Sequence, residues 1–198
     1  MRVTILDYGA GNLHSLAKAL DDGTSAVRVE ADPIGALDTD VLVLPGVGAF
    51  GHAASQLAPA RAAIRDAIQG GLPCVGICLG MQLLFRESDE GDGAGLGVID
   101  GRVTRVRARR VPHIGWAMID ESNDSAFTRA PLDVAYYANG FACRPTRPEV
   151  VRAWSVHEHD RFPAMVREGS AVGVQFHPEK SSRAGVAFLR VLVRETRA

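Results

Sequence analysis

The chain has 198 residues, of which 46% are hydrophobic, and its formal net charge at pH 7 is -1. This size and apolar content predict one globular domain spanning residues 1–198. A nearly neutral chain has no general attraction for nucleic acid or an anionic membrane, and no apolar run approaches the roughly 20 residues that cross a bilayer. The first apolar run is also too short for a signal peptide, so we expect a cytoplasmic protein.

Short apolar runs separated by helical patterns make up the first part of the chain. Because these runs are continuous and do not alternate with polar residues, they predict a parallel sheet covered by helices on both faces. Asn12 is placed to cap the first helix. The predicted strands are residues 3–6, 25–30 and 40–44, and the predicted helices are residues 13–21 and 56–69.

Metal and cofactor sites are not indicated. Gly9 and Gly11 follow the first strand, but the third glycine of a dinucleotide-binding fingerprint is missing. The chain has 3 cysteines, an odd number without the spacing of a zinc site. We therefore expect no cofactor, no metal and no disulfide framework.

A glycine-rich loop, residues 45–51, follows the third strand. Glycine clusters mark ordinary turns more often than sites, but in open α/β sheets binding sites lie beyond the carboxyl ends of the strands. We therefore interpret this loop as a source of oxyanion-hole N–H groups, with Gly48 as one donor. Leu79, which follows a nearby cysteine, is the second candidate donor.

That cysteine, Cys78, lies at the junction of an apolar run and a helical pattern. Gly76 and Gly80 flank it with the spacing of a nucleophile elbow, a sharp strand-to-helix turn that presents a reactive side chain. The start of a helix also favours a thiolate. The alternative is that Cys78 is a small buried apolar residue, which is a common role for cysteine.

A histidine far along the chain favours the reactive alternative. His177 and Glu179 follow a strand pattern at residues 171–176. Residues two apart in an extended segment point the same way, so Glu179 can reach the imidazole of His177. Cys78, His177 and Glu179 therefore form a candidate catalytic triad of nucleophile, base and orienting group.

The second half is rich in short strands, with a closing helix predicted at residues 182–194. Hairpins and mixed pairing are expected there. Arg105, Arg107 and Arg109 alternate with apolar residues, which predicts one face of a strand that is either solvated or used for docking. The predicted fold is therefore an open, mostly parallel α/β sheet with helices on both faces and a mixed or antiparallel second half. The predicted strands are residues 98–109, 116–120, 134–138, 150–156, 164–168 and 171–176.

Several stretches carry a family resemblance. Residues 76–80, together with His177 and Glu179, are similar to the class I (triad) glutamine amidotransferases. The stretches 7–13, 45–50, 112–116 and 175–181 resemble one group of that family, the glutaminase subunits that pass ammonia to a cyclase subunit. The resemblance implies a flavodoxin-like core, L-glutamine as substrate, and a heterodimer partner with a (β/α)₈ barrel.

The resemblance also implies roles for individual residues. Gln82, Glu90, Gly140 and Phe141 match contacts to the substrate glutamine, and Glu90 would pair with its α-ammonium group. Asn12 and Lys180 match positions that face the partner subunit.

The chain departs from the family in two places. Residues 136–141 replace a stretch that usually contains histidine and serine, and Ala117 stands where asparagine is usual. Other ammonia suppliers, such as the glutaminases of pyridoxal phosphate or anthranilate synthesis, would share the triad but not the stretch 7–13. A non-catalytic relative or a peptide hydrolase on a similar scaffold is a further alternative.

Overall fold

The structure is a computed structural model that describes residues 1–9 and 11–197. Ala10, which belongs to the stretch 7–13, lies outside the described residues, as does Ala198. The strands are β1 (Arg2–Leu6), β2 (Ala26–Glu30), β3 (Val41–Leu44), β4 (Cys74–Ile77), β5 (Glu87–Ser88), β6 (Gly101–Arg105), β7 (His113–Met118), β8 (Val134–Asn139), β9 (Phe141–Pro145), β10 (Val151–His157), β11 (Asp160–Glu168) and β12 (Ala171–Val174). The α-helices are α1 (Leu13–Leu20), α2 (Phe50–Leu57), α3 (Arg61–Gln69), α4 (Leu79–Leu83), α5 (Ser125–Arg129) and α6 (Ser182–Arg197).

The central sheet has seven strands in the order β10-β11-β12-β4-β3-β1-β2. The five strands from β12 to β2 pair in parallel, and β10 and β11 add an antiparallel edge. The prediction of a mostly parallel α/β sheet is confirmed. Because β4 and β12 are parallel neighbours, the residues that follow them emerge at the same edge of the sheet.

Helices cover both faces of this sheet because its central strands are apolar on both sides. In β3, Val41 and Val43 pack on the face covered by α1 and α6. Leu42 and Leu44 pack on the other face, which α2, α3 and α4 cover. All four side chains are fully buried, which explains why the sequence of this strand shows no alternation.

The second half forms two small sheets beside the edge of the central sheet. One has the order β5-β6-β9, and the other is the antiparallel ribbon of β7 and β8. The ribbon pairs His113 with Asn139 and Met118 with Val134. The strand β8 therefore ends at Asn139, and the turn that follows leads into β9.

The helix predicted at residues 56–69 is wrong. Two helices, α2 and α3, occupy this region, and they are separated by a turn that contains Pro59. Proline has no N–H and clashes with the preceding helical turn, so α2 ends before it. The predicted loop 45–51 is also shorter than expected, since α2 already begins at Phe50.

The arginine stripe is also a correction. The strand predicted at residues 98–109 is present only as β6, which ends at Arg105. Beyond β6 the backbone N–H of Arg107 donates to the carboxylate of Asp160 at 2.8 Å, and the backbone N–H of Arg109 donates to that of Glu158 at 2.7 Å. These carboxylates replace a neighbouring strand, so the three arginines do not share one strand face.

Three short elements, β5, α5 and β9, were not predicted. α5 is capped by Asp124, whose side chain accepts from the N–H of Ala126 at 3.0 Å. β9 pairs with β6 and begins at Phe141.

Among the described residues, no helix has the length and apolar character needed to span a membrane.

Candidate active site

Cys78 occupies a strained turn between β4 and α4. Its φ is +50° and its ψ is -105°, a backbone conformation that residues other than glycine rarely adopt. The N–H of Cys78 donates to the carbonyl of Val174 on β12 at 2.7 Å, and its carbonyl accepts from Gln82 at 3.1 Å. The backbone on both sides of the cysteine is therefore fixed, as a nucleophile elbow requires.

Close backbone packing explains the glycines around the elbow. A Cβ at Gly76 would lie 2.5 Å from the carbonyl oxygen of Gly80, and a Cβ at Gly80 would lie 2.0 Å from that of Leu44. Gly46 presses on the same turn, since a Cβ there would lie 1.9 Å from the carbonyl oxygen of Ile77. Only glycine leaves room for these contacts.

His177 lies beside the cysteine and is oriented by Glu179. Its Nδ1 is 2.8 Å from Oε1 of Glu179, and the His177 side chain is 1% exposed. Its other ring nitrogen, Nε2, has no nitrogen or oxygen partner among the described residues and interacts with the thiol of Cys78. The structure thus brings the three predicted triad residues together.

The charge state of His177 follows from these contacts. Burial lowers the pKa of His177, but hydrogen bonding to Cys78 and to Glu179 outweighs burial, and the pKa rises to about 9. The imidazole therefore carries a proton at neutral pH when a thiolate lies beside it. A thiolate with an imidazolium neighbour can attack a carbonyl and then protonate a leaving group.

Gln175 is a site residue that the sequence analysis missed. Its side chain is fully buried, and its Nε2 lies 3.6 Å from Sγ of Cys78. Its Oε1 accepts from Nε2 of Gln82 at 3.3 Å. Gln175 lies two residues before His177, so the spacing that associated Glu179 with His177 could have identified it.

The candidate oxyanion donors line the same cavity as the nucleophile. Gly48 and Leu79 both line the cavity that contains Cys78. Gly48 has a φ of +131°, which glycine alone adopts readily. Leu79 is the first residue of α4, so its N–H has no acceptor within that helix.

This cavity has a volume of about 100 Å³. That is smaller than the roughly 300–1,000 Å³ of pockets for drug-sized ligands, so it suits a narrow substrate group such as an amino-acid side chain. A larger groove of about 510 Å³ between α1 and β2 contains none of the triad. The cavity is lined by Gly46, Val47, Gly48, Cys78, Leu79, Gln82, Glu90, Ala138, Asn139, Gly140 and Phe141.

Glu90 lines the cavity and also caps a helix. Its Oε2 accepts from the N–H of Phe50, the first residue of α2, at 2.9 Å. One carboxylate oxygen is thus engaged by the protein, a contact that the predicted pairing with an α-ammonium group did not include. Because a carboxylate has about four acceptor positions, it can hold a bound cation as well.

Asn139 adds an unpaired acceptor to the cavity wall. Its Nδ2 donates to the carbonyl of Phe141 at 3.0 Å, and the same carbonyl accepts from Gln82 at 3.2 Å. The Oδ1 of Asn139 is buried and has no partner among the described residues. The side chain of Asn139 therefore fixes the carbonyl of Phe141, which also holds Gln82.

The two residues predicted to face a partner are both exposed. Asn12 caps α1, where its side chain accepts from the N–H of Ser15 at 3.2 Å. Lys180 ends a short 3₁₀ turn, Pro178–Lys180, that directly follows His177. The predicted cap role of Asn12 is confirmed.

An apolar surface lies next to the site on the β7–β8 ribbon. Ile114, Trp116 and Met118 are 65%, 54% and 55% exposed, and they alternate along β7, so they share one face. Val134 and Tyr136 lie opposite Met118 and Trp116 on β8. We call these five residues the apolar ribbon face.

The described residues contain no group of three or more histidine, cysteine or acidic side chains arranged to hold a metal ion. All three cysteines, Cys74, Cys78 and Cys143, are free and buried.

Comparison with known proteins places this geometry in a family. Residues 4–193 match the family model described as glutamine amidotransferase class-I. The match covers both strands that carry the triad.

Curated relatives span the whole chain. The chain is 38% identical to imidazole glycerol phosphate synthase subunit HisH of Pyrococcus furiosus over 192 residues, which cover 96% of each chain. It is 39% identical to the protein of the same name from Corynebacterium glutamicum, with 95% of each chain covered. The Symbiobacterium thermophilum protein of that name is 41% identical, over 95% of this chain and 91% of the relative.

Solved structures share the fold. A glutamine amidotransferase from Thermotoga maritima has a TM-score of 0.71 at 19% identity and covers 100% of this chain and 98% of its own. A chain of PurLQS from the same organism has a TM-score of 0.73 at 20% identity, with 98% of each chain covered.

The cysteines should differ sharply in reactivity. Burial raises the pKa of Cys74 to about 12 and that of Cys143 well above its ordinary value, whereas Cys78 opens into the cavity beside a protonated His177. We expect iodoacetamide at pH 7 to modify Cys78 alone, and more slowly in a His177→Asn variant. Peptide mass spectrometry over time measures this; modification of Cys74 at a rate similar to that of Cys78 would contradict it.

Proposed function

Because the chain belongs to the class-I glutamine amidotransferase family, we propose that it is the glutaminase subunit of imidazole glycerol phosphate synthase. In this role it hydrolyses L-glutamine to L-glutamate and ammonia in the cytoplasm and supplies the ammonia for L-histidine biosynthesis. Relatives of that name at 38–41% identity over nearly the full chain support the assignment. The observation that carries the chemistry is the arrangement of Cys78, which lines the cavity, with His177 beside it and Glu179 bonded to the far side of the imidazole.

The proposed first step is attack on the side-chain amide of glutamine. The Sγ of Cys78 forms a bond to the amide carbon, and the carbonyl oxygen becomes an oxyanion held by the N–H groups of Gly48 and Leu79. The amide C–N bond then breaks while the nitrogen takes a proton from Nε2 of His177. Ammonia leaves and a γ-glutamyl thioester remains on Cys78.

The second step reverses these roles. His177 is now neutral and takes a proton from water, which attacks the thioester carbon. Glutamate leaves, and the thiolate and imidazolium are restored. Glu179 keeps Nδ1 of His177 protonated throughout, because its carboxylate lies 2.8 Å from that nitrogen and remains an acceptor for it.

The cavity wall supplies groups that match free glutamine. The carboxylate of Glu90 can accept from the α-ammonium group of the substrate while it holds the N–H of Phe50. The side chain of Gln82 donates to the carbonyl of Phe141. Gly140, the residue before Phe141, lines the same wall of the cavity.

Ammonia must reach a second protein. Ammonia released into neutral water is protonated and loses its nucleophilicity, and the cavity is too small for an acceptor as well as glutamine. We therefore propose a heterodimer with the cyclase subunit, in which the interior of a (β/α)₈ barrel conducts ammonia to the acceptor. Asn12 and Lys180 belong to the proposed contact surface.

The apolar ribbon face supports such a partner. Contiguous exposed apolar side chains mark protein contacts more often than free surface. The carbonyl of Tyr136, on this face, accepts from the N–H of His177 at 2.8 Å. A partner seated on the ribbon would therefore lie close to the triad, where ammonia is released.

The central test is the loss of the nucleophile. In Cys78→Ala we expect the complex with the cyclase to lose glutamine-dependent synthesis and to keep ammonia-dependent synthesis, because only the nitrogen source is removed. Product formation with each nitrogen source measures this, and Cys74→Ala is the matched control. Glutamate release by Cys78→Ala at more than a few per cent of the normal rate would exclude the assigned role.

The alkaline limb of the pH profile should report His177. Its pKa of about 9 means that kcat/KM for glutamine falls as pH rises through that value, since the acid that protonates the leaving nitrogen is lost. Glu179 helps to raise this pKa, so Glu179→Gln should move the fall to lower pH. If Glu179→Gln left the pH of this fall unchanged, the role of Glu179 would be contradicted.

The loss in kcat of Glu179→Gln should be about 100-fold smaller than that of His177→Asn, by analogy with serine-protease triads.

The apolar ribbon face should contribute to binding the cyclase. Central aromatic residues of an interface typically cost about 2 kcal/mol or more when removed, so we expect Trp116→Asp to raise the Kd for the cyclase by about 30-fold. Ile34→Asp is the control, because Ile34 is also 54% exposed and follows β2, which is the edge strand of the central sheet opposite to β10, the strand that contacts the ribbon. Calorimetric titration measures both, and equal Kd values would exclude the ribbon.

A further inference from the structure

The oxyanion loop is exposed in its centre and buried at both ends. Val47, Gly48 and Ala49 are exposed, whereas residues 45–46 and Phe50 are buried. A glycine-rich segment of this kind has many accessible backbone conformations, so something must select the one that presents the Gly48 N–H to the substrate. Two side chains contact its buried ends.

One end is held by Glu90. Its carboxylate accepts from the N–H of Phe50 at 2.9 Å, which fixes the point where the loop enters α2. The other end is held by Tyr8, which lies just beyond β1 and is 4% exposed. The hydroxyl of Tyr8 donates to the carbonyl oxygen of Pro45.

Tyr8 is a dependable donor because of its surroundings. Burial raises the pKa of Tyr8 well above its ordinary value, and the neighbouring Cys74 and Cys78 raise it further. The hydroxyl therefore stays protonated across the range in which the enzyme works. The backbone beside Tyr8 also rests on the loop, since a Cβ at Gly11 would lie 3.3 Å from Cβ of Pro45.

Holding one carbonyl restricts the rest of the loop. A peptide unit is planar, so the bond from Tyr8 fixes the plane that joins Pro45 to Gly46. Gly46 in turn packs directly on the carbonyl of Ile77 and on Cβ of Cys78. With both ends fixed, the orientation of the Gly48 N–H depends only on rotations within residues 46–49.

We infer that Tyr8 is a positioning residue for the oxyanion loop, acting through the carbonyl of Pro45. This inference rests on the proposed function, because an oxyanion arises only if Cys78 attacks an amide. Without the hydroxyl, the buried Pro45 carbonyl loses its partner and the Pro45–Gly46 plane is free to turn. The Gly48 N–H then spends less time aimed at the oxyanion.

The test is Tyr8→Phe, which removes one oxygen atom and keeps the ring. Loss of an oxyanion donor lowers kcat by about 100- to 1,000-fold, so partial misalignment should lower kcat for glutamine by about 10-fold. KM should stay within about twofold, since Gln82, Glu90 and residues 139–141 are unchanged. The measurements use the complex with the cyclase in the presence of imidazole glycerol phosphate, the product of the proposed synthase.

Iodoacetamide separates positioning of the loop from general damage. Alkylation of Cys78 displaces iodide from carbon and forms no oxyanion, so we expect Tyr8→Phe to be alkylated at the normal rate. Tyr137→Phe is the matched control, because Tyr137 is also a buried tyrosine and lies outside the cavity lining. It should leave both rates unchanged.

Two outcomes would overturn the inference. One is a kcat for Tyr8→Phe within about twofold of the unmodified chain; the other is an equal fall in hydrolysis and alkylation, which would assign Tyr8 to the whole elbow. The unmodified chain must hydrolyse glutamine in the same assay. If it does not, the proposed function fails, and that failure is distinct from a failure of the role of Tyr8.

Discussion

The site depends on one constraint, the backbone of Cys78 held at a φ of +50°. Such a conformation costs about 1 to 3 kcal/mol and persists only where the surroundings determine it. Here β12 accepts the N–H of Cys78 through Val174, and Gly46 packs against the turn from the other side. The remaining groups of the site are arranged around a sulfur whose position is already settled.

The parallel pairing of β4 and β12 connects the two halves of the triad. Val174 lies opposite Ile77 in this register, so Cys78 and the segment from Gln175 to Glu179 leave the sheet side by side. About 100 residues separate Cys78 from His177 along the chain, yet no long loop has to bridge them at the site. The second half of the chain closes the cavity from the other side through residues 138–141.

Local spacing in the sequence was enough to predict the triad. The glycines at 76 and 80 indicated the elbow, and the two-residue step from His177 to Glu179 indicated the orienting carboxylate. Continuous apolar runs predicted the parallel sheet, because strands buried on both faces have no polar side. The same step of two residues, taken backwards from His177, would have found Gln175.

Contacts between distant segments could not be predicted in this way. Periodicity at residues 56–69 matched one helix, and the effect of Pro59 was overlooked. The alternation of arginines at 105–109 matched a strand, but the partner of that segment is the pair of carboxylates of Asp160 and Glu158. The bonds from Glu90 to Phe50 and from Tyr8 to Pro45 join residues about 40 positions apart, and neither leaves a pattern in the local sequence.

The glycine contacts at the elbow also limit how this enzyme can diverge. At Gly46, Gly76 and Gly80 an added methyl group would meet main-chain oxygen, which cannot move aside as a side chain can by changing rotamer. No small change nearby can compensate for a substitution at one of these glycines, so the sequence of the turn can change very little. New substrate preferences are therefore expected on the opposite wall of the cavity, formed by residues 138–141, where a side chain and not the main chain of the elbow meets the substrate.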